Sequence, residues 1–271
     1  MLIIDKFKIN IDKVKKRNEE LINKKWIDKL STKQKKFLDW RKGPPKNMNK
    51  DGLFSYFDLS NYLVNQNDFN KININHLVQY LTIYDIQQRI NMNTITDDLK
   101  IILQKIQKNR INAIRKYISI EDSIFKIGIY SRDVIYRMQT KPIDSNIIKN
   151  STSWGLVPIE WFCEDTICHL YITKIPSKLK VIYLENNSKD KNLNTFQKFD
   201  MYEFEYILPR NIEFVEIKTK KIKILNIHFA NKDNKINTPK ERTVICHWIR
   251  ITKQIKLDFP KIYDVCLTTH L

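Results

Sequence analysis

The stretch "EFEYILPRNIEF", residues 203–214, alternates apolar and polar side chains at a period close to two on either side of Pro209, Arg210 and Asn211. This is the pattern of two short strands meeting at a polar turn, because successive side chains of a strand point to opposite faces. If the run from Tyr202 to Leu208 is extended, Glu203 and Glu205 share a face about 7 Å apart, while Phe204 and Tyr206 face the other way. Two carboxylates so placed repel each other. The pair suits divided labour, one acid held ionised and the other serving as a base; it equally suits a half-exposed edge strand with both acids in water.

Working outward, the same short β-rich runs recur from about residue 124 onward. They are "FKIGIY" (125–130), "DVIYRM" (133–138), "HLYITKI" (169–175), "KVIYLE" (180–185), "EFVEI" (213–217), "IKILNI" (222–227) and "VICHWIRI" (244–251). Polar turns separate them and no regular helix falls between each pair, which argues against a doubly wound parallel sheet and for an α+β fold.

Residues 1 to about 120 read as helices. In "NKKWIDKLSTKQKKFLDWRKGPP" (23–45), Trp26, Ile27, Leu30, Phe37 and Leu38 fall near helical spacing, with Gly43, Pro44 and Pro45 as the stop. The segment 94–118 is the strongest helix, with Leu99, Ile102, Leu103, Ile106, Ala113, Ile114 and Tyr117 on one stripe. Thr94 and Asp97 fit a capping box, and Asp97 with Asp98 suits the positive end of the helix dipole. The change in character divides the chain into a basic helical region over 1–70, a central domain over 71–230 and a β-rich extension over 231–271.

At 271 residues, with 42% hydrophobic and 11% aromatic side chains, the composition is that of a folded protein able to bury a core. The formal charge of +18 predicts attraction to polyanions, including nucleic acid and phosphate-bearing small molecules. Four glycines, no GxGxxG and no Walker sequence nearly exclude a glycine-rich phosphate loop, so a nucleotide would be held by side chains. No signal peptide or membrane-length apolar run is visible. Cys163, Cys168, Cys246 and Cys266 are sparse and lack metal-ligand spacing, which predicts reduced thiols and an intracellular, cytoplasmic chain. His76, His169, His228, His247 and His270 are scattered, and no metal site is expected.

Three features of the second half come in a fixed order. Arg137 follows a run of strand formers in "VIYRM", where a guanidinium could fork onto a phosphate. Ser151, Thr152 and Ser153 open what reads as a strand, and their hydroxyls suit either a ribose or an ordinary turn. The glutamates of 203–205 come third.

In this order, "IYRM", "STSW" and "EFEYILPRNIEF" resemble the catalytic core of the mono-ADP-ribosyltransferases of the Arg–Ser–Glu class, with the Glu-x-Glu motif of the arginine-specific type. "PIEWF" (158–162) stands where that family has a short helix, "CHLYITKIPSKLKVIYLE" (168–185) is similar to its two following strands, and "YLTIYDIQQRIN" (80–91) weakly resembles its helix with spaced tyrosines. The resemblance covers roughly residues 75 to 228. It implies a split, mixed and largely antiparallel sheet, with NAD as substrate. It also implies transfer of ADP-ribose to an acceptor protein, most readily at arginine, with release of nicotinamide. On this resemblance Glu205 holds the nicotinamide ribose and stabilises its cation, and Ser151 orients Glu205 or contacts that ribose. Arg137 binds the dinucleotide phosphates, Thr152 and Ser153 join Ser151 among the cofactor-binding residues, and Glu203 deprotonates the acceptor. The loop 189–202 would carry acceptor recognition through Phe196 or Phe199. Where the family usually has glycine after the motif arginine, this chain has Met138, expected to narrow the approach to the phosphates.

A different class of function rests on "STKQKKFLDWRKGPPKNMNK" (31–50), in which basic residues accompany aromatic ones. Lys33, Lys35, Lys36, Arg41 and Lys42 with Trp40 suit phosphate contacts and base stacking. The alternative is therefore a nucleic-acid-binding or virion-packaged protein with an inactive transferase-like fold, and a third reading joins the two as a transferase acting on nucleic acid. No membrane partner is expected.

Overall fold

Nine of the strands form one mixed sheet, and it explains why the second half of the sequence alternates at a period of two. The computed structural model describes residues 6–42, 71–73, 97–158, 167–184, 204–226, 240–255 and 266–268. The chain divides into two compact units, one of Met1–Lys29 with Phe125–Lys256 and the other of Leu30–Ile124 with Leu257–Leu271.

The first unit contains α1 (Ile11–Ile22) and strands β2 (Ile129–Tyr130), β3 (Val134–Gln139), β4 (Ile147–Ile148), β5 (Thr152–Gly155), β6 (Ile167–Lys174), β7 (Lys180–Leu184), β8 (Glu205–Leu208), β9 (Ile212–Asn226) and β10 (Lys240–Gln254). Their order across the sheet is β2-β7-β8-β5-β3-β6-β10-β9-β4. β6 and β10 run parallel and the other pairs are antiparallel. With both helices and a mixed sheet the fold is α+β.

Two of the expected strands are one. "EFVEI" and the "IKILN" of the second run are continuous in β9, which pairs along its length with β10, whose register shifts between Trp248 and Ile249 and between Ile251 and Lys253. The intervening Lys218, Thr219, Lys220 and Lys221 are exposed and include no turn former, so polar character there marks solvent contact. "FKIGIY" is the converse correction, because α3 (Asp97–Ile127) continues through Phe125 and only Ile129 and Tyr130 are strand. Ile114, Ile118, Ile124 and Phe125 are buried along that helix, a packing stripe that overrides the local β propensity. Gly128 ends it: a Cβ at this position would stand 2.6 Å from the Val181 carbonyl oxygen of β7.

One face of β3, β6, β10 and β9 buries Met138, Cys168, Leu170, Ile172, Ile222, Ile224, Val244 and Cys246, joined by Phe7, Tyr136 and Trp248. Burial pushes the Cys246 thiol up to about 11, which leaves it an inert apolar filler. α1 is capped by Asn10, whose side chain accepts from Lys13 N at 2.9 Å.

In the second unit, α2 (Thr32–Lys42) opens with a capping box in which Ser31 N donates to Gln34 Oε1 at 2.8 Å and Gln34 N to Ser31 Oγ at 3.4 Å. It meets α3 through Phe37 against Tyr117 (6.0 Å between ring centres), Gln34 Nε2 to Ser123 Oγ (2.9 Å) and the inward-facing ion pair Arg41–Glu121 (3.2 Å). β1 (Lys71–Asn73) pairs in parallel with β11 (Cys266–Thr268). Thr94, half of the expected capping box, lies outside the described residues.

Candidate functional site

The sheet order places β8, β5 and β3 side by side, so the three motifs of the sequence lie on or beside adjacent strands. Glu205 is the first residue of β8, Ser151 precedes β5, and Arg137 sits within β3. Gly155 is registered with Glu205 on one side and with Tyr136 on the other. Each antiparallel step separates Cα atoms by about 5 Å, so Tyr136 and Glu205 flank a position without a side chain. Among the described residues, β3 and β5 share this one registered pair, which makes a seam in the sheet.

Arg137 is fixed at that seam. Its Nη1 donates to the Ser153 carbonyl at 2.8 Å and its Nε to Gln139 Oε1 at 3.2 Å, and the side chain is half-buried. The hydroxyl triplet divides by position. Ser151 is buried, Thr152 accepts from the Trp154 indole at 2.8 Å, and Ser153 contributes its carbonyl to Arg137. The Thr152 hydroxyl holds a buried tryptophan, and the Ser153 oxygen that serves the arginine is a main-chain one.

Glu205 is half-buried, and Phe204 before it is not extended. Phe204 is buried at φ 35, and its carbonyl accepts from Leu156 N at 3.3 Å. A left-handed residue interrupts the alternation, so the extended run reaches back only to Glu205. Glu203, Phe196 and Phe199 lie outside the described residues.

Glu205 is anchored through its neighbour. Tyr206 Oη donates to Asp133 Oδ2 at 2.5 Å, Ser131 Oγ donates to the same oxygen at 2.7 Å, and Arg17 Nε reaches both carboxylate oxygens at 3.1 and 3.0 Å. Tyr206 packs edge-on against Tyr183, whose hydroxyl bonds Asn18 of α1. Burial alone would push the Asp133 carboxyl up; the hydrogen bonds from Tyr206, Ser131 and Arg17 outweigh it and hold the group below its usual range. Burial, reinforced by the bond to Asp133, pushes the Tyr206 phenol well up and keeps it neutral.

Met138 does not obstruct Arg137. It belongs to the apolar cluster on the opposite face of β3, which corrects the expected narrowing. Arg41 is likewise corrected as a polyanion contact, being paired with Glu121 inside the second unit, whereas Lys33, Lys35 and Lys36 are exposed on α2. The side chains of Trp40 and Lys42 lie outside the description.

Sequence reasoning missed a histidine pair. His169 Nδ1 and His247 Nε2 are 2.9 Å apart, and His247 Nδ1 is 2.5 Å from Glu216 Oε2. The signal was the Cys-His dipeptide that occurs at 168–169 and again at 246–247: on neighbouring parallel strands, each puts cysteine into the core and histidine on the other face. Among the described residues no group of three His, Cys, Asp or Glu is arranged to hold a metal ion, and no helix is long and apolar enough to cross a membrane.

No protein-family model and no curated protein matches the chain. Solved structures to which it is similar include the enzymatic component C2-I of the C2 toxin from Clostridium botulinum, at 13% identity and a TM-score of 0.44 over 86% of this chain and 45% of that one. They also include the Clostridium limosum C3 exoenzyme, at 16% and 0.40 over 90% and 95% of the two chains. A third is the ADP-ribosylating toxin BECa of C. perfringens, solved with NADH, at 12% and 0.45 over 89% and 48%. The chain spans about half the length of C2-I and of BECa.

Proposed function

We propose that the chain is an NAD-dependent mono-ADP-ribosyltransferase that moves ADP-ribose to an acceptor, preferentially an arginine side chain, and releases nicotinamide. The observation that supports this reading is the adjacency of β3, β5 and β8, the three strands that carry or border Arg137, Ser151 and Glu205. Cleavage of the nicotinamide–ribose bond builds positive charge on the sugar, and a fixed carboxylate stabilises it. Glu205 supplies that carboxylate at the start of a strand whose next residue is locked by Asp133 and Ser131. Arg137, held in plane by Ser153 and Gln139, takes the diphosphate, and Ser151 serves the ribose. Glu203 aligns and deprotonates the guanidinium of the acceptor.

The direct experiment is incubation of the protein with labelled NAD. Nicotinamide release by the native protein and none by Glu205→Gln is the expected result; equal release by both would overturn the reading.

The exposed Lys33, Lys35 and Lys36 favour an additional polyanion contact on α2. Replacing all three by glutamate is expected to lower the salt concentration at which the protein leaves heparin, with nicotinamide release unchanged.

A further inference from the structure

On the face of β3 that carries Arg137, the strands set two cross-strand rows. One runs Arg137–Tyr171–His247–Thr219 and the other Gln139–His169–Ile245–Lys221. Three hydrogen bonds join Thr219, His247 and His169 of these rows with Glu216 of β9, which is registered with Ile249. Thr219 Oγ1 donates to Glu216 Oε1 at 2.6 Å, His247 Nδ1 meets Glu216 Oε2 at 2.5 Å, and His169 Nδ1 meets His247 Nε2 at 2.9 Å. The Tyr171 ring stacks on His247 at 4.6 Å and 11°, and the two imidazoles stack at 5.2 Å and 20°.

With both imidazoles neutral, the bonds set where the protons sit. A carboxylate only accepts, so His247 carries its proton on Nδ1 toward Glu216 and turns the Nε2 lone pair to His169, which must donate from Nδ1. The chain therefore ends in the Nε2 lone pair of His169. A proton arriving there makes an imidazolium without breaking any of the three bonds. The charged groups around it are Arg137 of β3, Glu216 and Lys221 of β9, and Lys141 and Asp144 of the segment after β3. Lys141 is reached through its carbonyl by Gln139, and Asp144 acts on Tyr171.

We propose that the Glu216–His247–His169 chain is a proton-gated anion site, continuous with Arg137, that binds a phosphate-type group when His169 is protonated. Glu216 compensates the added charge through His247, and the cation lies one row from the arginine. Identification of the natural ligand as the diphosphate of NAD rests on the proposed function; the anion site itself does not. Burial and the neighbouring His247 hold His169 below the ordinary histidine value of 6.5, so gating falls on the acidic side of neutrality.

Sulfate is a suitable probe, since its charge is constant between pH 5.5 and 8. Binding followed by NMR on the full chain is expected to be about tenfold tighter at pH 5.5 than at pH 8, the effect of one charge-assisted hydrogen bond. In His169→Gln the pH effect should vanish, and His169→Lys should bind at pH 8 as the native protein does at pH 5.5. Thermal unfolding establishes that both variants fold. The proposal is overturned if native binding is the same at both pH values, or if His169→Gln keeps the native pH effect. Repeating the measurement with NAD separates the two ideas. A sulfate effect without NAD binding upholds the anion site and removes the transferase reading, whereas pH-independent binding of both NAD and sulfate does the reverse.

Discussion

Arg137 Nη1 donates a 2.8 Å hydrogen bond to the carbonyl oxygen of Ser153, bridging β3 and β5 where those strands share a single registered pair. The guanidinium thus does two things at once: it closes the seam and presents a planar cation there. A lysine keeps the charge but cannot place two donors in one plane. Arg137→Lys is expected to weaken NAD binding about tenfold or more, the loss of one charge-assisted bond. Calorimetry that returned the native affinity would remove Arg137 from the site.

The two glutamates of the opening stretch should separate by reaction. Glu205→Gln is expected to lower both NAD hydrolysis and transfer by about 10² to 10³, since the loss falls on the bond-breaking step common to both. Glu203→Gln should suppress transfer to arginine while nicotinamide release continues, because water attacks the ribosyl cation with less assistance. Nicotinamide release and acceptor labelling measured side by side decide the matter, and equal losses in Glu203→Gln would sink the division of roles.

Asp133 gives the first unit an acid-sensitive bond. Its folded value lies below the ordinary 3.8, so its contribution is complete above that value and is lost as pH falls through the depressed one. Asp133→Asn is expected to cost about 1–3 kcal/mol at neutral pH and to flatten the acid limb of a plot of Tm against pH. An acid limb as steep as the native one would show that other groups set it.

Gly128 tests the junction of α3 with β7. A methyl group there would meet the Val181 carbonyl at 2.6 Å, a backbone atom that cannot swing aside. Gly128→Ala is therefore expected to destabilise the protein by about 1–3 kcal/mol through forced backbone shifts, read as a lower denaturant midpoint with unchanged slope. A native midpoint would mean that the junction has slack.

What the sequence determined by itself was the kind of element and the face each side chain takes. The α+β class, the long helix ending the first half, and the runs "EYIL" and "KVIYL" follow from periodicity, which is a local property. Arg137, Ser151 and Glu205 were legible as candidates because their motifs are continuous in the chain.

Which strand lies beside which was decided only by tertiary structure. β8 reaches β5, and β10 inserts beside β6, through contacts between segments far apart in sequence, where the period of two names a face but no neighbour. The same limit hid the pairing of His169 with His247, two residues that acquire a shared role only when β6 and β10 run parallel. The left-handed turn at Phe204 was hidden for another reason: a large apolar residue at positive φ is disfavoured locally, and burial of its ring in the folded protein offsets that cost.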